Sequence, residues 1–141
     1  MNPDTLPPQN RRWLLVDDDL EVLAMLALLV ENLTTATIEC HPSPRSAYAA
    51  FSAAPTEYEL VITDFEMPGM NGVELSRWLR AITPSQIIFL ATGGGRLNEM
   101  AAHREGLCAL LAKPFTLTAL KGALARAGIK TKCVGVPASA A

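Results

Sequence analysis

Short apolar runs alternate with stretches whose apolar residues recur at helical spacing, and the alternation covers most of this 141-residue chain. Arg12-Trp13-Leu14-Leu15-Val16 reads as a first buried strand, and it stops at Asp17-Asp18-Asp19. Val22, Leu23, Leu26, Leu29, Val30 and Leu33 then line a helix. Asp18, with Glu21 three residues later, has the form of a capping box in which Asp18 is the capping residue. Residues 35–40 are β-branched and weakly alternating, which predicts a second strand. Pro42-Ser43-Pro44 is a loop in which Ser43 or Pro44 opens the next helix, with Ala47, Tyr48, Ala50 and Phe51 apolar and Pro55 at its end. Leu60-Val61-Ile62-Thr63 is a third strand that runs out at Asp64, before the turn signals Met67-Pro68-Gly69 and Asn71-Gly72. Residues 72–81 give a third helix and residues 86–91 a fourth strand, which ends at Thr92-Gly93-Gly94-Gly95. A weak helix over 96–105 is closed by Gly106, and a fifth strand over 107–112 ends at Lys113-Pro114-Phe115. Thr116 caps a last helix, which Gly128 stops.

Five apolar strands alternating with five helices predict an α/β fold with a parallel sheet and helices on both faces. The strands are continuous apolar runs, as burial on both faces requires. Residues 1–10 carry Pro3, Pro7 and Pro8 among polar residues and read as a tail, 11–128 as one domain, and 129–141 as a second tail. Composition narrows the function. Hydrophobic residues at 50% and charged residues at 18% provide for a sizeable core. A net charge of -2 leaves no electrostatic footprint for nucleic acid. Cys40, Cys108 and Cys133 match no zinc pattern and read as buried or idle thiols. Residues 1–12 do not resemble a signal peptide, and the apolar run 22–30 is too short to span a bilayer. The expectation is a soluble, cytoplasmic protein with no membrane association.

The chemistry gathers at strand ends. Strand one ends in Asp17 and Asp18, strand three in Asp64, strand four in Thr92 and strand five in Lys113. In a parallel sheet these ends share one edge, where ligands of open α/β sheets bind. Asp64 alone is open to three readings: metal ligand, nucleophile or helix cap. Together the groups are more specific. Clustered carboxylates raise one another's pKa unless a cation joins them, and a partly open set of hard oxygens suits Mg²⁺. A carboxylate can accept a phosphoryl group, and a lysine supplies a point charge for it. Asp64 is the better acceptor, because it stands alone while Asp17 and Asp18 form a ready metal pair.

Leu14-Leu15-Val16-Asp17-Asp18, Val61-Ile62-Thr63-Asp64 with Met67-Pro68-Gly69-Met70-Asn71-Gly72, Ala91-Thr92-Gly93 and Ala112-Lys113-Pro114-Phe115 together resemble the receiver domain of two-component response regulators, of the single-domain type. The resemblance covers residues 11–128. It implies a flavodoxin-like (βα)5 three-layer sandwich with strand order 2-1-3-4-5. It implies Asp64 as phosphoacceptor, Thr92 and Lys113 as phosphoryl-contacting switch residues, and a cis Lys113–Pro114 bond. Mg²⁺ would be held by Asp17, Asp18, Asp64 and the backbone carbonyl of Glu66. The implied donor is a histidine kinase or a phosphotransfer protein. The implied downstream partner is a protein, not nucleic acid, bound through the fourth predicted helix, the fifth strand and the last helix.

Two positions depart from the pattern. Receivers usually carry an aromatic residue three positions before the lysine, and here that position is Leu110. Switching is therefore expected to use the glycine-rich loop after Thr92 and the helix behind it. Glu66 places an acid two residues beyond the acceptor, where it is expected to affect how long the phosphoryl group survives. The same offset supports an alternative, a Mg²⁺-dependent phosphatase working through an aspartyl phosphate, although no substrate cap is encoded. A degenerate receiver acting as a scaffold is the remaining alternative.

Overall fold

The computed structural model describes residues 11–93, 107, 109–114 and 116–132. Its elements are β1 (Arg12–Val16), α1 (Leu20–Glu31), β2 (Thr37–His41), α2 (Pro44–Ala53), β3 (Tyr58–Asp64), α3 (Gly72–Ile82), β4 (Ile88–Thr92), β5 (Ala109–Ala112) and α4 (Leu117–Arg126). The strands form one sheet in the order β2-β1-β3-β4-β5, and every neighbouring pair is parallel. The helix expected over 96–105 lies outside the described residues.

Both sheet faces are covered, which explains the unbroken apolar strands. Successive side chains of a strand point to opposite faces. Trp13 and Leu15 therefore meet Leu23, Leu26 and Val30 of α1 and Leu120 and Leu124 of α4. Leu14 and Val16 meet Phe51 of α2 and Leu75 and Leu79 of α3. Leu110, in place of the usual aromatic, pairs with Leu90 and packs against this second cluster. Among the described residues no helix is long and apolar enough to cross a membrane.

Register positions the functional edge. Val16 pairs with Thr63, Asp64 with Ala91, and Thr92 with Ala112. The last residues of β1, β3, β4 and β5 thus end side by side, and the Lys113 N–H continues the ladder by donating to the Thr92 carbonyl at 2.8 Å.

Helix ends follow local chemistry, with one correction. Ser43 caps α2 with Pro44 at its first position, and Thr116 caps α4. The N-cap of α1 is Asp19, not Asp18: its carboxylate accepts from the N–H groups of Glu21 and Val22. The reason lies in Asp17, whose side chain turns inward and accepts from the Asp19 N–H at 2.9 Å, moving the cap one residue on. A capping box forms instead at α3, between Asn71 and Glu74. The chain also stays docked beyond Gly128. Gly128 has φ +76° and donates to Ala125, while Ile129 donates to Leu124, a Schellman motif. Ile129, expected in a tail, is buried in the α1/α4 cluster, and Lys132 N–H bonds the Leu33 carbonyl at 2.8 Å. Cys40, expected to be a buried or idle thiol, is exposed on the edge strand β2 and makes no disulfide.

β3 starts at Tyr58, two residues before the apolar run, because Tyr58 and Glu59 have partners of their own. The Trp13 Nε1–H donates to Glu59 at 2.8 Å. Tyr58 stacks on Phe51 and its hydroxyl donates to Glu39 at 2.7 Å. Burial first, then the Glu39 carboxylate, pushes the Tyr58 hydroxyl up to about 12. The unfolded tyrosine ionises near 10 while the folded one keeps its proton, so stability present below pH ~10 is lost as pH rises toward the folded value. Tyr58→Phe should remove that alkaline decline. Urea melts of both proteins at pH 9 and pH 11 check it: the stability gap between them should narrow at the higher pH.

Candidate functional site

The three-aspartate turn after β1 sorts its carboxylates by direction. Asp17 is buried, Asp18 is exposed, and Asp19 is spent on the helix cap. Asp64, at the end of β3, is 8% exposed. Lys113 comes from the end of β5, 96 residues from Asp17 in sequence, and its ammonium bonds both partners: Asp17 Oδ2 at 2.8 Å and Asp64 Oδ1 at 2.8 Å. Lys113 is therefore no solvated lysine. The Lys113–Pro114 bond is cis. Thr92, at the end of β4, is buried beside them. Asp17, Asp18, Asp19, Asp64, Glu66, Thr92, Gly93 and Lys113 line one cleft of ≈ 490 Å³. The cap reading of Asp64 falls away, because Asn71 caps the helix that follows.

The electrostatics follow from crowding. Burial raises the Asp64 carboxyl above its ordinary value, the Lys113 hydrogen bond opposes this, and the charges of Asp17 and Asp18 add to it. Burial alone would depress Lys113, but hydrogen bonds and charge from Asp17 and Asp64 hold it above the ordinary lysine value. Three carboxylates face one ammonium, so two negative charges remain uncompensated.

One oxygen from each of Asp17, Asp18 and Asp64 lies within 4.8 Å of the others. These are hard donors without histidine or cysteine, one of them exposed, and their excess negative charge fits a divalent cation such as Mg²⁺. The structure thus brings together Asp17, Asp18, Asp64, Thr92 and Lys113, with Glu66 on the rim. Sequence reasoning gave no site role to Asp19, which borders the cleft, or to Gly72, which abuts the Asp64 carbonyl at the end of β3. The signal for Gly72 was present in Asn71-Gly72-Val73-Glu74, a capping box that opens α3 immediately after the loop that follows Asp64.

A family model described as the response regulator receiver domain matches residues 13–125. A response regulator receiver protein of Anaeromyxobacter sp. (strain Fw109-5) is 34% identical over 108 residues, 76% of this chain and 44% of that protein. The C4-dicarboxylate transport transcriptional regulatory protein DctD of Rhizobium meliloti is 32% identical over 121 residues, 85% of this chain and 26% of that protein. The chain thus spans less than half the length of either relative. The crystal structure of a response regulator receiver domain protein from Clostridium thermocellum matches with a TM-score of 0.76 at 28% identity, covering 83% of this chain and 93% of that one.

Proposed function

The chain belongs to the response regulator receiver domain family, and from that premise we propose that it accepts a phosphoryl group on Asp64 from a phosphohistidine donor and signals to a protein partner. The observation that carries the reading is the bridging of Asp17 and Asp64 by one Lys113 ammonium beside a third carboxylate. An Asp64 carboxylate oxygen attacks phosphorus. The O–P bond forms as the P–N bond breaks, and the electron pair leaves with the imidazole nitrogen, which takes a proton. Lys113 offsets the charge of the transferred group, and the Thr92 hydroxyl donates to one of its oxygens. Asp17, Asp18, Asp64 and the Glu66 carbonyl would hold Mg²⁺, which when bound neutralises phosphoryl oxygens. Such a transfer depends mainly on positioning and charge compensation, and a preformed cluster at a sheet edge provides both.

The test is incubation with acetyl phosphate and Mg²⁺ followed by intact mass. A gain of one phosphoryl group that vanishes with a chelator is expected. No gain from acetyl phosphate or from a phosphorylated phosphotransfer domain would overturn the reading.

The donor needs a surface next to the cleft, and α1 supplies one. Leu20, Met25 and Leu28 are 66%, 63% and 65% exposed, and a groove lined by Val22, Met25, Leu26, Leu29, Lys113 and Pro114 shares Lys113 with the cleft. Exposed apolar patches of this kind mark interaction sites. Leu28→Glu should slow transfer from a protein donor roughly tenfold, about 1.4 kcal/mol of binding, while labelling by acetyl phosphate stays unchanged. Equal slowing of both reactions would place the donor elsewhere. For the downstream partner, the proposed face joins β5 and α4 to the segment 96–105, which lies outside the described residues.

A further inference from the structure

We propose that Gly72 is a positioning residue for the phosphoacceptor: its missing side chain lets the start of α3 seat on the Asp64 carbonyl and fixes the peptide from which the acceptor carboxylate projects. The inference rests on Asp64 being the acceptor.

Space, not conformation, explains this glycine. Among the described residues only Gly69 and Gly128 have positive φ, so the backbone of Gly72 is open to any residue. A Cβ at position 72 would lie 2.3 Å from the Asp64 carbonyl oxygen, 3.1 Å from its carbonyl carbon and 2.6 Å from Leu90 Cδ1. The Leu90 methyl can turn away. The Asp64 carbonyl cannot, because the Asp64–Phe65 peptide is held at both ends. Its oxygen accepts from the Thr63 hydroxyl at 3.0 Å, and its N–H donates to the Ala91 carbonyl at 2.9 Å. The Gly72 N–H in turn donates to the Phe65 carbonyl at 2.8 Å, closing the loop that carries Glu66. A side chain at 72 must therefore tilt that peptide or lift α3 from it. Asp64 Cα is one bond from the displaced carbonyl, so the carboxylate moves relative to Lys113 and Asp17.

The experiment measures the labelling rate at saturating acetyl phosphate and Mg²⁺, together with Mg²⁺ affinity by calorimetry. Gly72→Ala should label roughly 10- to 100-fold more slowly, the size of effect a displacement of about an ångström produces. It should also bind Mg²⁺ several-fold more weakly. Gly128→Ala, destabilised through its positive φ at the far end of α4, should label at the wild-type rate. Adding Leu90→Ala to Gly72→Ala removes the methyl contact but not the contact with Asp64, so the rate should stay low, while the loss of a fully buried leucine lowers thermal stability further. A wild-type labelling rate in Gly72→Ala, or rescue of the rate by Leu90→Ala, would overturn the proposal. If Gly72→Ala does not fold, Thr63→Val decides: it loosens the same carbonyl, and an unchanged rate overturns the proposal. If the wild-type protein itself takes no phosphoryl group, the acceptor reading fails separately. Mg²⁺ affinity then judges Gly72, with an unchanged value in Gly72→Ala counting against it.

Discussion

Asp64→Asn abolishes labelling by acetyl phosphate and, without Mg²⁺, leaves the protein at least as stable as the wild type. The first half follows from chemistry: an amide of the same shape fills the cleft but has no anionic oxygen to attack phosphorus. The second half follows from crowding. Burial, then the nearby charges of Asp17 and Asp18, hold the Asp64 carboxyl above its ordinary value despite the Lys113 hydrogen bond. A carboxyl whose folded pKa is raised favours the fold most when protonated. That contribution is fully present below the unfolded value, near 4, and is lost as pH rises through the folded one. At neutral pH the wild type therefore carries a cost that the asparagine variant does not. Urea melts of both proteins in chelator between pH 4 and pH 7 should show the variant gaining on the wild type as pH rises. Phosphoryl uptake by the variant, or a variant that loses stability relative to the wild type as pH rises, would contradict this account of the site.

Much of the fold was legible because its signals are local. Leu60 to Thr63 is a strand wherever it packs, and Ser43-Pro44 and Thr116 open helices through their own side chains. The convergence of Asp17, Asp64 and Lys113 was legible one step further on, since parallel strands put their carboxyl ends on one edge. Illegible features depend on contacts distant in sequence. With three aspartates in a row, the spacing to Glu21 points to Asp18 as the cap. Asp19 becomes the cap because Asp17 faces a lysine 96 residues away. In α1, where nearly every residue is apolar, helical spacing still singled out the buried Leu23, Leu26 and Val30; the exposed Leu20, Met25 and Leu28 lie off that face. Ile129 looked like the start of a tail because its partners, on α1 and α4, are not its sequence neighbours alone.

Lys113→Met separates three quantities that a merely structural lysine would move together. The ammonium now stands between Asp17 and Asp64 at 2.8 Å from each. Without it, three carboxylates are left within 4.8 Å of one another with no cation among them. Removing one partner of a buried pair costs roughly 3–5 kcal/mol, and here, where Lys113 is partly exposed, about 1–3 kcal/mol is expected in metal-free protein. Mg²⁺ affinity should move in the opposite direction. A unit charge about 4 Å away is worth several kcal/mol at an effective dielectric near 20, and deleting a positive one beside the site favours a divalent cation. An increase of at least roughly tenfold is expected after screening. Phosphoryl transfer should nonetheless fall roughly 100-fold or more, because the charge that offsets the transferred group is gone. Thermal melts with and without Mg²⁺, calorimetric titration and labelling kinetics read the three separately. A metal-free protein as stable as the wild type would show that Lys113 does not hold the carboxylates together. Unchanged or weaker Mg²⁺ binding would show that the lysine and the metal do not share the same negative charge.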